Sequence, residues 1–271
     1  MSAVMERSMG ASGQGTSHGT ALAAGVLGFA LGGFFDGILL HQVLQWHHFL
    51  SLVPGDALRD IRAQILADGL FHVAVYLIAA VGLWLLWRAR AGLTGGSGAR
   101  LLGAVLLGFG IWQVVDVVGF HWAVGIHRIR VDVPDPLLWD IGWLIVIGLP
   151  PLAAGLWLRR RDGNPPPGGH ATAVAAALAA LVLASGPIAA LSPAGATTVL
   201  VLFRNGIGPD QAFAAAIAAG GRVAWSDPSG GMLAVDLRDG GSVLALYRGG
   251  ALLVGTSAIT GGCLAWTQRP A

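Results

Sequence analysis

The stretch ALAAGVLGFALGGFFDGILLHQVLQWHH, residues 21–48, decides the fold. Up to Leu44 it is apolar apart from Asp36, His41 and Gln42, and it is long enough for a spanning helix, which needs about 20 mostly apolar residues. A carboxylate and an imidazole inside such a run are costly in lipid, so they read as functional groups.

The rest of the chain has the same character. Of its 271 residues 55% are hydrophobic and 11% charged, whereas soluble domains carry about a quarter charged residues. Four further apolar runs follow, at 68–87, 101–122, 138–158 and 171–191. The expected fold is an all-α integral membrane four-helix bundle over 20–161, built from two hairpin repeats. A linker and a fifth transmembrane helix follow over 162–192, then a small C-terminal α+β extracytoplasmic domain over 193–271. Residues 1–19 are rich in Gly and Ser and are expected to be disordered. The first run is too long for a cleaved signal peptide, with only Arg7 before it. Pro150-Pro151 predict a kink in the fourth span.

All sixteen basic residues are Arg. Arg88, Arg90 and Arg100 lie between the second and third runs, and Arg159, Arg160 and Arg161 follow the fourth. By the positive-inside rule both segments are cytoplasmic, which puts the N-terminus inside and the C-terminal domain outside a bacterial inner membrane. Arg59, Arg62, Arg128 and Arg130 fall on the outer side and weaken the bias without reversing it. Trp46, Trp122, Trp139 and Trp143 read as an outer interfacial belt, and Trp84, Trp87 and Trp157 as an inner one. A net charge of +2 without a basic stripe excludes nucleic acid as a partner. The lone Cys263 excludes an internal disulfide and a cysteine metal finger.

Asp36, His41 and His47 are repeated 80 residues later as Asp116, His121 and His127, both as Asp-x4-His-x5-His. Asp68 and Asp140 each open their span, and Gly82-Leu83-Trp84 matches Gly155-Leu156-Trp157. This is the pattern of two parallel copies of a helical hairpin related by an axis along the membrane normal.

All the polar chemistry sits at one end of the bundle. Asp36, His41, His47, His48, Asp68, His72, Asp116, His121, His127 and Asp140 map to the outer halves of the four spans or just beyond. His nitrogen with carboxylate oxygen suits Zn, Fe or Cu(II), and an Asp beside a ligating His can instead fix its tautomer. His41, His72, His121, Asp36, Asp68 and Asp116 are the leading ligand candidates. His47, His48, His127, Asp140 and Gln45 are secondary, since His47 and His48 read as interfacial and His127 as a loop residue. On an α-helix Asp36 and His41 lie about 140° apart, so they do not point at one spot unaided. Non-covalent haem on His41 and His121 is a second reading. A packing network is a third, and a proton pathway a fourth. The pathway is disfavoured because the inner halves offer no continuing polar steps.

After 192 the composition changes. Residues 197–204 read as a strand, 209–219 as a helix ended by Gly220-Gly221, and 222–227 and 231–237 as strands around an Asp227-Pro228-Ser229-Gly230 turn. Two more strands are expected at 242–248 and 251–255. The domain is expected to dock a membrane protein partner.

Gly32 through His48, with Ala67-Asp68-Gly69-Leu70-Phe71-His72 and Trp139-Asp140, resembles a family of bacterial membrane proteins of unknown function, over about residues 22–160. The resemblance implies a four-span unit with this Asp/His signature and a neighbourhood of copper-oxidase assembly proteins. Three functions stay open. One is a metal- or haem-binding accessory factor in respiratory oxidase or metal homeostasis. Another is a membrane metalloenzyme with Asp36 or Asp116 as general base. The last is an accessory subunit whose cluster only fixes packing.

Overall fold

A computed structural model describes residues 2–44, 46–59, 61–94, 97–161, 170–190, 197–238 and 240–255. Gln45 and Cys263 lie outside these residues. The chain divides into two compact units, Met1–Gly55 with Leu66–Gly186, and Asp56–Ile65 with Pro187–Ala271.

The first unit is helical. Four helices are long and apolar enough to cross a membrane: His18–His41, Ala63–Arg88, Gly98–Val124 and Pro136–Arg160. They are called spans 1 to 4 below. A fifth apolar helix, Ala171–Ala190, places Ala171, Ala175, Leu178 and Val182 in the same buried cluster as Leu27, Phe34, Val75 and Trp112. Those four positions fall on one helical face, as their spacing requires. Elsewhere the surface is apolar: Leu70, Leu77, Val81, Trp84, Val146 and Trp157 are all exposed. A soluble protein seldom shows so much contiguous apolar surface; lipid is its natural cover.

The N-terminal stretch departs from expectation. The helix containing span 1 begins at Ser2, not near residue 20. Extending an existing helix fixes one residue per hydrogen bond, whereas a new nucleus must fix several, so a nucleated span carries helix into a weakly apolar lead-in.

Glycines set the approach of spans 1 and 3. A Cβ on Gly28 would overlap the Val105 carbonyl, and one on Gly108 the Gly25 carbonyl. The two contacts are mates, each 80 residues from the other. Small residues at such crossings let helix backbones come close in a membrane.

Three segments of the spans are π-helical: Gly37–Val43, Val115–Val124 and Leu144–Gly148. The third lies just before Pro150-Pro151, whose missing N–H groups leave carbonyls one turn earlier without helical donors. That is where the interruption expected in span 4 falls. The first carries His41, with Asp36 just before it, and the second carries Asp116 and His121.

The second unit contains a four-stranded antiparallel sheet, ordered β2-β3-β1-β4, from β1 (Thr198–Phe203), β2 (Arg222–Ser226), β3 (Met232–Asp236) and β4 (Ala251–Gly255). The helix Pro209–Ala218 buries Ala212 and Ala216 against Val199, Val201, Leu233 and Val235. Gly220, at φ 75°, ends this region, with the Gly221 N–H donating to the Ala216 carbonyl as in a Schellman turn. The strand expected at 242–248 is instead a helix, Val243–Arg248. Ser242 caps it, its hydroxyl accepting from the Ala245 N–H. An apolar run this short does not separate strand from helix by periodicity, and the cap decides it.

Candidate metal centre

The π-helical segments answer the problem posed by the spacing. In a π-helix the hydrogen bonds run from residue i to i+5, so residues five apart come onto one face. Asp36 and His41 are five apart, as are Asp116 and His121. His41 Nε2 lies 3.9 Å from Asp36 Oδ2, and His121 Nε2 lies 3.1 Å from Asp116 Oδ2. The third member of each group comes from the loop beyond the helix. After Val124 the backbone turns at Gly125, φ 73°, where an αL conformation suits glycine. This returns His127 to the site, with its Nε2 3.2 Å from Asp116 Oδ1. His47 lies with Asp36 and His41, its ring 4.6 Å from that of His41.

The result is two buried trios, Asp36/His41/His47 and Asp116/His121/His127. Within each, one ligand atom per residue lies within 4.8 Å of the others. Two ligands held about 2.1 Å from a common ion reach about 4 Å apart, so closing on an ion takes only a small contraction. The rings of His47 and His127 stack, 4.7 Å between centroids and 10° between planes. His41 packs on His47 at 4.6 Å, and His121 on His127 at 4.7 Å.

Three of the four Nδ1 atoms are tied off by hydrogen bonds, and that of His41 lies beside a carboxylate. His121 Nδ1 donates to Asp140 Oδ1 at 2.9 Å, and His41 Nδ1 lies 3.2 Å from Asp68 Oδ1. His47 Nδ1 donates to the Ile129 carbonyl at 3.0 Å, and His127 Nδ1 to the Phe49 carbonyl at 3.0 Å. A neutral imidazole has one donor and one acceptor. With Nδ1 spent on an acceptor, Nε2 is left with a lone pair. His41, His47 and His121 each have a buried Nε2 that makes no hydrogen bond. Burial also holds the His47 and His127 imidazoles below the ordinary histidine value, which favours their neutral form. The trios therefore set imidazole lone pairs against carboxylate oxygens. Acceptors facing acceptors call for a cation between them.

Asp68 and Asp140 hold the loops. The Phe49 N–H donates to Asp68 Oδ1 at 2.8 Å and the Ile129 N–H to Asp140 Oδ1 at 3.0 Å. The outer oxygens take different partners: His48 Nδ1 donates to Asp68 Oδ2 at 2.6 Å, while Arg128 and Trp122 both donate to Asp140 Oδ2. Arg128 brings a permanent charge to the cluster, its Nη1 2.8 Å from Asp140 Oδ2.

Several expectations change rank. His47 and His127, read as interface and loop, are ligand candidates with 0% and 1% exposure. His72, read as a leading ligand, joins neither trio; its Nδ1 donates to the Asp68 carbonyl, and its ring lies against Gly37. Asp68 orients other groups instead of joining a trio, and His48 serves Asp68. Arg128 and Trp122 were missed as partners of Asp140. The 80-residue offset carried the signal for Arg128, since it maps His48 onto that position.

No curated protein and no solved structure matches the chain. A family model described as "Predicted membrane protein (DUF2243)" matches residues 23–162. That match takes in spans 2 to 4, span 1 from residue 23 onward and every residue of both trios, and the chain belongs to this family of membrane proteins of unknown function.

Proposed function

We propose that the protein binds divalent transition-metal ions on Asp36/His41/His47 and Asp116/His121/His127. The observation that carries this reading is the set of buried Nε2 atoms on His41, His47 and His121 that make no hydrogen bond beside buried carboxylates, with the Nδ1 atoms of His47, His121 and His127 held by other acceptors. Outer partners of this kind fix tautomer and ring orientation at metal sites. Two His and one carboxylate with open positions is the facial ligand set favoured by non-haem Fe(II), and Zn also accepts it. Among the described residues no thiolate or thioether joins either trio, which speaks against Cu(I).

Haem between His41 and His121 finds less support. The rings of His47 and His127 each pack against both of those histidines, within 6.2 Å, so a macrocycle would have to displace the stacked pair. Asp36 and Asp116 sit among the ligand atoms, which leaves neither free as an independent general base.

The chain is read as an inner-membrane protein with the N-terminus inside and the trios near the outer face. Its four spans are two hairpin copies, and Ala171–Ala190 crosses as a fifth span, about 30 Å long at 1.5 Å per residue. The C-terminal α+β unit lies outside and docks a membrane partner. A buried metal site of this kind suits an accessory factor in respiratory-oxidase assembly or metal homeostasis.

Elemental analysis and a visible spectrum of the full chain, purified in detergent, test the reading. Bound Fe or Zn that falls sharply in His41→Ala is expected. Folded protein with neither metal nor a Soret band overturns it.

A further inference from the structure

The hydrogen bonds that orient the trios do not stay within them. His47 belongs to the first trio, but its Nδ1 is held by the Ile129 carbonyl from the second half. His127 belongs to the second, but its Nδ1 is held by the Phe49 carbonyl from the first. The loops themselves are joined: the Leu52 N–H donates to the Ile126 carbonyl at 2.9 Å, and the Val131 N–H to the Trp46 carbonyl at 3.4 Å.

Each crossing connection continues to the next ligand. From His127 the path runs through the Phe49 carbonyl, along that residue to its N–H, and on to Asp68, which lies against His41. From His47 it runs through Ile129 to Asp140, which accepts from His121 Nδ1. Two paths thus link every histidine of one trio to a histidine of the other. The stacked pair at the centre, His47 on His127, leaves no layer of protein between the two rings.

We propose that the two trios form one dinuclear centre that takes up two divalent ions cooperatively, instead of two sites that fill independently. This rests on the metal-binding reading above. An ion on the first trio fixes His41 and His47, and so steadies Asp68, Ile129 and the loops that carry them. The second ion then meets His121 and His127 already held in place. Orienting partners of this type change metal affinity by about 10- to 100-fold when removed. Because the linkage is reciprocal, either ion promotes the other by the same factor.

Titration of the metal-free full chain in detergent with Mn(II) reads both stoichiometry and coupling. Expected are two ions per chain, an uptake curve steeper than that of independent sites, and an exchange-coupled paramagnetic resonance spectrum present well below saturation. Two ions with independent uptake and isolated-ion spectra overturn the proposal while leaving metal binding intact. No ion bound by folded protein overturns metal binding itself. His121→Gln provides a second measure, with His41→Gln as its mirror. If the centre is coupled, each variant holds its remaining ion at least about tenfold more weakly than the wild type. If either keeps one ion at unchanged affinity, the sites are independent. Circular dichroism and gel filtration establish that a variant is folded. Should both variants fail to fold, the wild-type titration and spectrum alone decide.

Discussion

Asp68 and Asp140 hold matched places in the two halves of the bundle, and they keep different company. Each accepts an N–H from the loop residue two past the trio's outermost histidine, Phe49 for one and Ile129 for the other. Each lies against the Nδ1 of the π-helical histidine. The difference is at the remaining oxygen, where Asp68 has the imidazole of His48 and Asp140 has the guanidinium of Arg128 plus the Trp122 indole. Asp140 is fully buried with a permanent positive charge beside it, while Asp68 keeps 8% exposure. Among the described residues, equivalent geometry has therefore been reached with a guanidinium beside one carboxylate and an imidazole beside the other. The second half is the stiffer support.

The largest effect follows from removing these carboxylates. Asp140→Ala leaves the Arg128 guanidinium, the Trp122 indole and the His121 Nδ1 without their shared acceptor. Each donor left without its acceptor costs about 1–3 kcal/mol, less for the partly exposed guanidinium. Asp68→Ala leaves imidazoles and one backbone N–H without an acceptor, at about 1–3 kcal/mol each. Thermal unfolding in detergent should show the Asp140 variant clearly less stable than the Asp68 variant. Equal losses would mean that Arg128 contributes nothing to the difference between the halves.

The matched glycines make the opposite prediction, that the two halves behave alike. Gly28→Ala and Gly108→Ala each drive a methyl group into a facing carbonyl, so spans 1 and 3 must separate in either variant. Overpacking of this kind costs about 1–3 kcal/mol. The two melting-temperature shifts should agree with each other. Gly119→Ala, with nothing within 4 Å of the new Cβ, should stay close to the wild type. Unequal losses at Gly28 and Gly108 would break the correspondence on which the comparison of halves depends.

Composition and run length made the four spans and the gathering of polar groups at one end of them legible, because both follow from the cost of polar groups in lipid. The Asp-x4-His pairing was visible as a repeat but was read with the wrong helix. At 100° per residue, Asp36 and His41 point apart; the π-helical segment brings them together. A spacing of five, occurring twice with an ionisable group at each end, was the available sign of it. His127 was hidden for another reason. Its burial depends on the Gly125 turn and on a carbonyl from the other half, neither of which has a local periodicity. In the C-terminal unit the helix Pro209–Ala218 was readable from its Pro and Gly punctuation, whereas Val243–Arg248 is one short turn decided by a serine cap.

The smallest effect isolates the one position where the halves differ most, 48 against 128. Arg128→His gives the second half the partner that the first already has. Its guanidinium is 28% exposed, so part of the pair's strength is screened by solvent. A hydrogen bond to a charged group, discounted in this way, is worth about 1–2 kcal/mol. Comparing Arg128→Ala and Asp140→Ala, singly and together, extracts the coupling between the two side chains, because each single change removes their interaction without supplying another. A coupling near 1–2 kcal/mol would assign the stiffness of the second half to this pair. A coupling near zero would assign it to the indole of Trp122 and the Ile129 N–H, the other donors that Asp140 gathers, and would leave Arg128 as a surface charge that happens to face a buried carboxylate.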